Sequence, residues 1–227
     1  ALKAQYRPLV DDVAHRDDLN YVIGEMIGEL NAGHAYKAGG ETDAPDRPQT
    51  ALLGARLELD DRANRYRFSE IFEGAAAEPK YRSPLNEVGV DVEQGDYLLA
   101  VNGRDLGRND NVYALLQGLA GGLVELTVAD SADGENTRRV IIAPLSSAAR
   151  LLYYRWIERN RARVADATDG RIGYMHIPDM GANGIYEFTR QYYGQIDRDG
   201  LVVDVRLNGG GNVSHMLINR LDRELIF

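Results

Sequence analysis

The 227-residue chain contains no cysteine and a single tryptophan. Without thiols it can form no disulfide, no Cys-ligated metal site, no iron–sulfur cluster and no thiol nucleophile. The compartment stays open, because a thiol-free protein is chemically safe under either redox poise. Basic residues are in deficit: 26 Lys and Arg against 35 Asp and Glu give a net charge of −9. That balance argues against nucleic acid as a partner, since a duplex binder needs a basic footprint. No apolar run approaches the roughly 18–20 residues of a membrane span, so no membrane association is expected. The opening Ala1-Leu2-Lys3-Ala4-Gln5-Tyr6 lacks the apolar core of a secretory signal. Terminal punctuation is missing too. There is no Met at the start, and the last residues, Leu221-Asp222-Arg223-Glu224-Leu225-Ile226-Phe227, stop in an apolar run. Helices and domains normally end on caps or polar tails, so the chain reads as a piece of a longer protein. What is present, 44% hydrophobic and 27% charged residues, is ordinary globular composition.

Hydrophobic period divides the chain into three parts. Leu19, Val22, Ile23, Met26, Ile27 and Leu30 recur at helical spacing and form one stripe of an amphipathic helix. Asp17 fits its N-cap and Gly33 its C′ position. Residues 39–50 hold two Gly and two Pro without apolar period and read as a linker. Short strand-like runs follow at 51–59, 65–72, 95–102, 123–129 and 138–143. Turn pairs Asp60-Asp61, Asn102-Gly103 and Asp133-Gly134 lie among them. One helix over about 110–119 is expected within this β-rich module, with Val112, Leu115, Leu116 and Leu119 on one face. After Pro144 the pattern alternates: helix 147–166 with Trp156, strand 171–177, aromatic helix 184–196, strand 201–206, a glycine turn and a further helix. Strand–helix–strand alternation implies a βαβ crossover and a parallel sheet.

Few residues suggest chemistry. Asn208-Gly209-Gly210-Gly211 follows an apolar strand and precedes a helix. Backbone N–H groups there can hold a phosphate or a developing oxyanion. The turn is neither the dinucleotide fingerprint nor a P-loop, which need other residues at fixed offsets. On local sequence alone, a tight βα turn needing glycine for its dihedrals is the plainer account. His34 follows a helix end, where a histidine can complement the helix dipole, lie exposed, or act as a general base. His176, in a strand beside Pro178, reads as a structural histidine. Ser214 and His215 are helix neighbours pointing about 100° apart, too divergent for a nucleophile–base pair. No pair of histidines has zinc-like spacing.

Together these segments resemble a known family. Gly95-Asp96-Tyr97-Leu98-Leu99-Ala100-Val101-Asn102-Gly103 is similar to the strand–turn–strand of a PDZ domain, and Leu52-Leu53-Gly54-Ala55 falls where a PDZ carboxylate-binding loop lies. Gly28-Glu29-Leu30-Asn31-Ala32-Gly33-His34-Ala35-Tyr36 resembles the histidine segment of the tricorn protease family, related to C-terminal processing peptidases. Gly170 to Met180 resembles the opening of that family's second core domain. Asp204-Val205-Arg206-Leu207-Asn208-Gly209-Gly210-Gly211 resembles its oxyanion loop.

The resemblance implies a mixed α/β and β, multi-domain chain: a helical core segment (1–40), a PDZ-like module (51–145) and the start of a crotonase-like parallel α/β core (147–227). It implies a metal- and cofactor-free serine peptidase acting on oligopeptides in the cytoplasm, and homo-oligomers fit the family. His34 would be the general base. The N–H of Gly210, helped by Gly209, would face the oxyanion. Leu53, Gly54, Ala55 and Leu57, with Val112 and Leu116, would accept an extended peptide by strand addition. Two features depart from the pattern. The family's serine before the catalytic histidine is replaced by Gly33, and its nucleophilic serine and partner acid would lie past Phe227. The family's upstream β-propeller is also absent from these residues. The fragment alone is therefore expected to be inactive. Two other readings stand beside this one: a non-catalytic PDZ scaffold that binds peptides, and a crotonase-type acyl-CoA enzyme, against which the interposed PDZ-like module argues.

Overall fold

A computed structural model describes residues 2–41, 45 and 48–222. Residues 1, 42–44, 46–47 and 223–227 lie outside it, so the last five residues of the C-terminal apolar run and the middle of the expected linker fall beyond the described residues. The chain forms two compact units, Ala1–Arg47 and Pro48–Phe227.

The first unit is helical. Helix α1 spans Leu2–Tyr6, a 3-10 turn covers Arg7–Asp12, and helix α2 spans Arg16–Gly28. The N-cap of α2 is His15, not the expected Asp17. His15 is extended, its Nδ1 accepts from the Asp18 amide, and Asp18 Oδ2 accepts from the His15 amide. The reciprocal capping box satisfies two donors at once, which a lone Asp17 would not do. The helix also stops earlier than a Gly33 cap implies. Glu29 caps it, and Asn31 and His34 take the left-handed backbone with φ of 47° and 60°. The expected stripe is half-buried from Leu19 to Ile27, while Leu30 is exposed.

The second unit begins with an antiparallel sheet. Its strands are β1 Ala55–Asp60, β2 Arg65–Ile71, β3 Tyr97–Val101, β4 Arg104–Asp105, β5 Val124–Ala129 and β6 Arg138–Ile142. The order is β1-β2-β3-β5-β6, with β4 hairpinned onto β3 through Asn102-Gly103. Alternation drives it: Val124, Leu126 and Val128 turn inward on β5, where Phe68, Leu98, Leu106, Leu116 and Ile142 meet them. The expected helix over 110–119 shrinks to α3, Val112–Leu115, capped by Asn111. Its apolar face is real, since Val112 and Leu116 are buried and Leu115 and Leu119 pack beside them. The chain leaves the helix because residues 117–118 pair with 49–50, through the Thr50–Gln117 bridge and the Gly118 N–H on Gln49 O. Tertiary pairing here outweighs helical period.

Helix α4, Ala149–Ala167, connects to a parallel pair, β7 Ile172–His176 and β8 Gly200–Asp204, joined by α5 Ala182–Tyr192. Helix α6, Ser214–Leu221, follows the glycine turn. Met175, Ile177, Phe188 and Leu217 form this layer's core. The outer edge of β7 is closed by side chains. Gln195 accepts from Tyr174 N and donates to Tyr174 O, and Gln191 does the same for His176 N and O. Two carboxamides thus take the place of a neighbouring strand, which blunts that edge against further pairing.

Candidate functional site

The glycine turn is built by continued parallel pairing past the ends of β7 and β8. Gly209 N–H donates to Pro178 O at 2.9 Å, Met180 N–H to Gly210 O at 2.7 Å, and Asn212 and Val213 N–H both to Met180 O. Asn208 stitches the turn sideways: its Nδ2 donates to Ile177 O at 2.9 Å and its Oδ1 accepts from Gly210 N–H at 2.8 Å. Both expected oxyanion donors, the Gly209 and Gly210 amides, are therefore engaged internally. The Gly211 amide meets no acceptor among the described residues. Sequence reading missed that amide and the part played by Asn208, because both depend on partners far back in the chain. Asn208 and Ile177 are 31 positions apart, and Pro178 and Met180 are similarly remote.

A polar layer anchors the loop entering this turn. Asp204 is buried at the end of β8. It accepts from Tyr174 Oη at 2.7 Å, from Arg206 N–H at 2.9 Å and from the Arg206 guanidinium. His176 is buried; its Nε2 meets Arg206 O and its Nδ1 meets Tyr153 Oη, each at 2.7 Å. A carbonyl only accepts, so Nε2 carries the proton and Nδ1 accepts from the tyrosine. His176 is thus a satisfied structural histidine, with the Trp156 ring edge-on to it. The guanidinium of Arg206, supported by Tyr174 and the Arg206 amide, holds the Asp204 carboxyl well below the usual carboxylate range against the opposing effect of burial. A depressed carboxyl contributes stability that is complete above its unfolded pKa of about 3.9 and is lost as pH falls toward the folded value. Asp204→Asn is accordingly expected to lower the melting temperature at pH 7, with the gap to wild type closing as pH drops below about 4. A gap of the same size at pH 7 and pH 2 would refute this linkage.

His34 lies in the first unit, exposed, with Tyr36 as its neighbour: Tyr36 Oη is 3.4 Å from Nδ1, and the rings meet edge-on. No carboxylate orients it among the described residues.

In the antiparallel module, Leu53, Gly54, Ala55, Leu57 and Leu116 surround a small cavity of about 110 Å³, together with Phe72, Tyr113 and Ala148. Val112 does not line it; the side chain is spent in the sheet core. Tyr113, next along α3 and exposed, stands at the cavity instead. Gly54 has φ of 77°, and a Cβ there would press on Pro84 and Leu151 at 3.0 and 3.3 Å, so only glycine fits the loop. Strand β1, alongside, pairs only with β2 among the described strands. No group of three or more His, Asp or Glu side chains among the described residues could hold a metal ion. No helix described is long and apolar enough to cross a membrane.

Comparison with known proteins converges. Family models match residues 1–28 (Tricorn protease C1 domain), 51–147 (Tricorn protease PDZ domain) and 171–220 (Peptidase family S41). The chain is 36% identical to the tricorn protease homolog of Saccharolobus solfataricus, over 96% of this chain and 20% of that protein. It is 38% identical to tricorn protease homolog 1 of Streptomyces coelicolor, over 98% of this chain and 20% of that protein. The crystal structure of the tricorn protease superposes with a TM-score of 0.86 at 34% identity, over 100% of this chain and 22% of that one. The chain thus spans about a fifth of the length of these relatives. The matches run in the same order as the helical, antiparallel and parallel parts of the fold, and the chain belongs to the tricorn protease family.

Proposed function

We propose that this chain supplies the general base, part of the oxyanion site and a peptide groove to a serine peptidase that hydrolyses oligopeptides. The intact protein would provide the nucleophilic serine and its partner acid from outside residues 1–227. The helical segment 1–40, the PDZ-like module 51–145 and residues 147–227 would be its parts. The β7–α5–β8 unit would then be the start of a crotonase-like core.

In this reading His34 takes the proton of the serine hydroxyl as it attacks the peptide carbonyl, and returns it to the leaving amine. The oxyanion rests on amides of the glycine turn. Gly210 reaches it once its N–H leaves Asn208 Oδ1, and Gly211, whose N–H meets no acceptor among the described residues, is a second donor. Gly209 serves by fixing the turn on Pro178 O. A peptide adds along β1, with its end at Leu53, Gly54, Ala55, Leu57 and Leu116. The observation that carries the reading is the stitched, solvent-exposed glycine turn at the carboxyl end of a parallel pair, where α/β folds place their chemistry.

His34→Ala in the intact protein is expected to lower kcat/KM for oligopeptide cleavage by about 10²–10⁴-fold and to leave peptide binding unchanged. The isolated chain is expected to show no serine-inhibitor-sensitive cleavage, and measurable cleavage by it would overturn this assignment. A second reading, a non-catalytic peptide-binding scaffold, is favoured by the internal engagement of the Gly209 and Gly210 amides. It requires that intact protein bind peptides without cutting them.

A further inference from the structure

At the opposite end of β7 from the glycine turn, a cavity of about 350 Å³ opens between α4, α5 and the start of β7. Its charged lining is entirely basic: Arg161 from α4, Arg190 from α5 and Arg198 from the loop before β8. This stands out in a chain of net charge −9. Ala165 and Ile172 form its apolar floor. The carboxylates that pair with two of the arginines are not in the lining. Glu158 holds Arg161 by Nη1, and Glu187 holds Arg190 by Nε at 3.1 Å and Nη2 at 2.8 Å. Asp199, beside Arg198 in sequence, faces Arg171.

A guanidinium carries five N–H donors in a fixed fork. Arg161 uses Nη2 on Gln191 Oε1 at 3.2 Å, and Arg198 uses Nη1 on Gly170 O. Nε of Arg161, Nη1 of Arg190, and Nε and Nη2 of Arg198 have no protein acceptor among the described residues. One wall is also fixed in place, because Gln195 spends its carboxamide on Tyr174 N, Tyr174 O and Gln191 O. Three guanidinium groups keep donors to spare, and no carboxylate stands in the lining to take them. They suit the three terminal oxygens of a phosphoryl group.

We propose that this cavity binds a compact phosphate-bearing anion. The same chemistry is offered by free inorganic polyphosphate and by the phosphates of a nucleotide. The site does not depend on the peptidase reading, since it lies at the other end of the strand from the turn.

The test is titration calorimetry of the protein with pyrophosphate at low ionic strength, with ADP and citrate as further arms. Saturable one-to-one binding of pyrophosphate is expected. Arg198→Gln and Arg161→Gln should each weaken it by about tenfold, the scale of a lost charge-assisted hydrogen bond. Arg163→Gln, exposed on the same helix but outside the cavity, should leave it unchanged. Arg198 is itself exposed, so its replacement leaves the fold intact, which an unchanged melting temperature checks. ADP binding more tightly than pyrophosphate assigns the nucleotide source, and weaker ADP binding assigns the inorganic one. Citrate binding as tightly as pyrophosphate overturns the phosphoryl assignment. Absence of saturable binding, or equal affinity in Arg198→Gln and wild type, overturns the site.

Discussion

Replacing Glu187 with Leu is expected to lower the unfolding free energy by about 3–5 kcal/mol, the cost of breaking a buried ion pair from one side. Glu187 is fully buried on α5. Its Oε1 accepts from Lys80 Nζ at 2.7 Å and Tyr81 Oη at 2.6 Å, and its Oε2 from Arg190 at 2.8 Å and Gln191 at 2.9 Å. Burial alone would raise this carboxyl; the hydrogen bonds from Lys80, Tyr81 and Arg190 outweigh it and hold it below its ordinary value. Lys80 and Arg190 are themselves only about a quarter exposed, with side-chain values of 23% and 25%. Deleting this anion therefore takes the hydrogen-bonded counter-charge from two half-buried cations. Lys80 also lies over the Tyr81 and Tyr186 rings, and Tyr81 stacks on Tyr154 of α4, so the cluster ties the 79–81 turn to both helices. Urea unfolding followed by the fluorescence of Trp156 measures the loss. The companion variant carrying Lys80→Met, Glu187→Leu and Arg190→Met should recover most of it, because removing all charges removes the unpaired ones. If Glu187→Leu costs less than about 1 kcal/mol, the range of a surface ion pair, the cluster is not the joint described.

That cluster also marks where sequence reading stops. The parallel pair was legible from the apolar run at 201–203 and the alternation of periods around it. The antiparallel strands were legible from alternation and from turn pairs such as Asn102-Gly103. These signals are local, so they appear in the order of residues. Glu187 and Lys80 are 107 positions apart, and nothing near either announces the other. The same holds for the carboxamides of Gln191 and Gln195, which read as unremarkable polar positions on an aromatic helix and in fact close a sheet edge. The cap of α2 failed for a smaller reason. Asp17, Asp18 and His15 all suit a helix start, and only backbone dihedrals decide which one stands at the boundary. In the candidate site, the glycines were visible as a turn. The occupation of their amides was not, because Pro178, Met180 and Asn208 set it through pairing beyond the strand ends.

The glycine turn supplies the sharpest contrast among single substitutions. Gly210 and Gly211 both have positive φ, 79° and 141°, yet they differ in what surrounds them. A Cβ at Gly210 meets nothing within 4 Å. Gly210→Ala should therefore cost only the left-handed backbone penalty of about 1–2 kcal/mol and keep the turn in place. A Cβ at Gly211 would sit 2.2 Å from Met180 O and 2.4 Å from Met180 C. That obstacle is backbone, so no rotamer relieves it, and the turn must part from residue 180. The Met180–Gly211 bridge and the bonds from Asn212 and Val213 to Met180 O go with it. Gly211→Ala is thus expected to cost about 3 kcal/mol or more, strain and lost hydrogen bonds together. If the turn holds the oxyanion, the same change in the intact protein should lower kcat by about 10²–10³-fold, the scale of one lost donor, while Gly210→Ala stays nearer wild type. Thermal melts of both variants test the structural half, and peptide cleavage by the intact variants tests the catalytic half. Equal melting temperatures for the two would mean that Met180 does not hold the turn. Full activity in Gly211→Ala with the expected stability loss would separate the turn from catalysis and leave the peptide-binding scaffold as the better account.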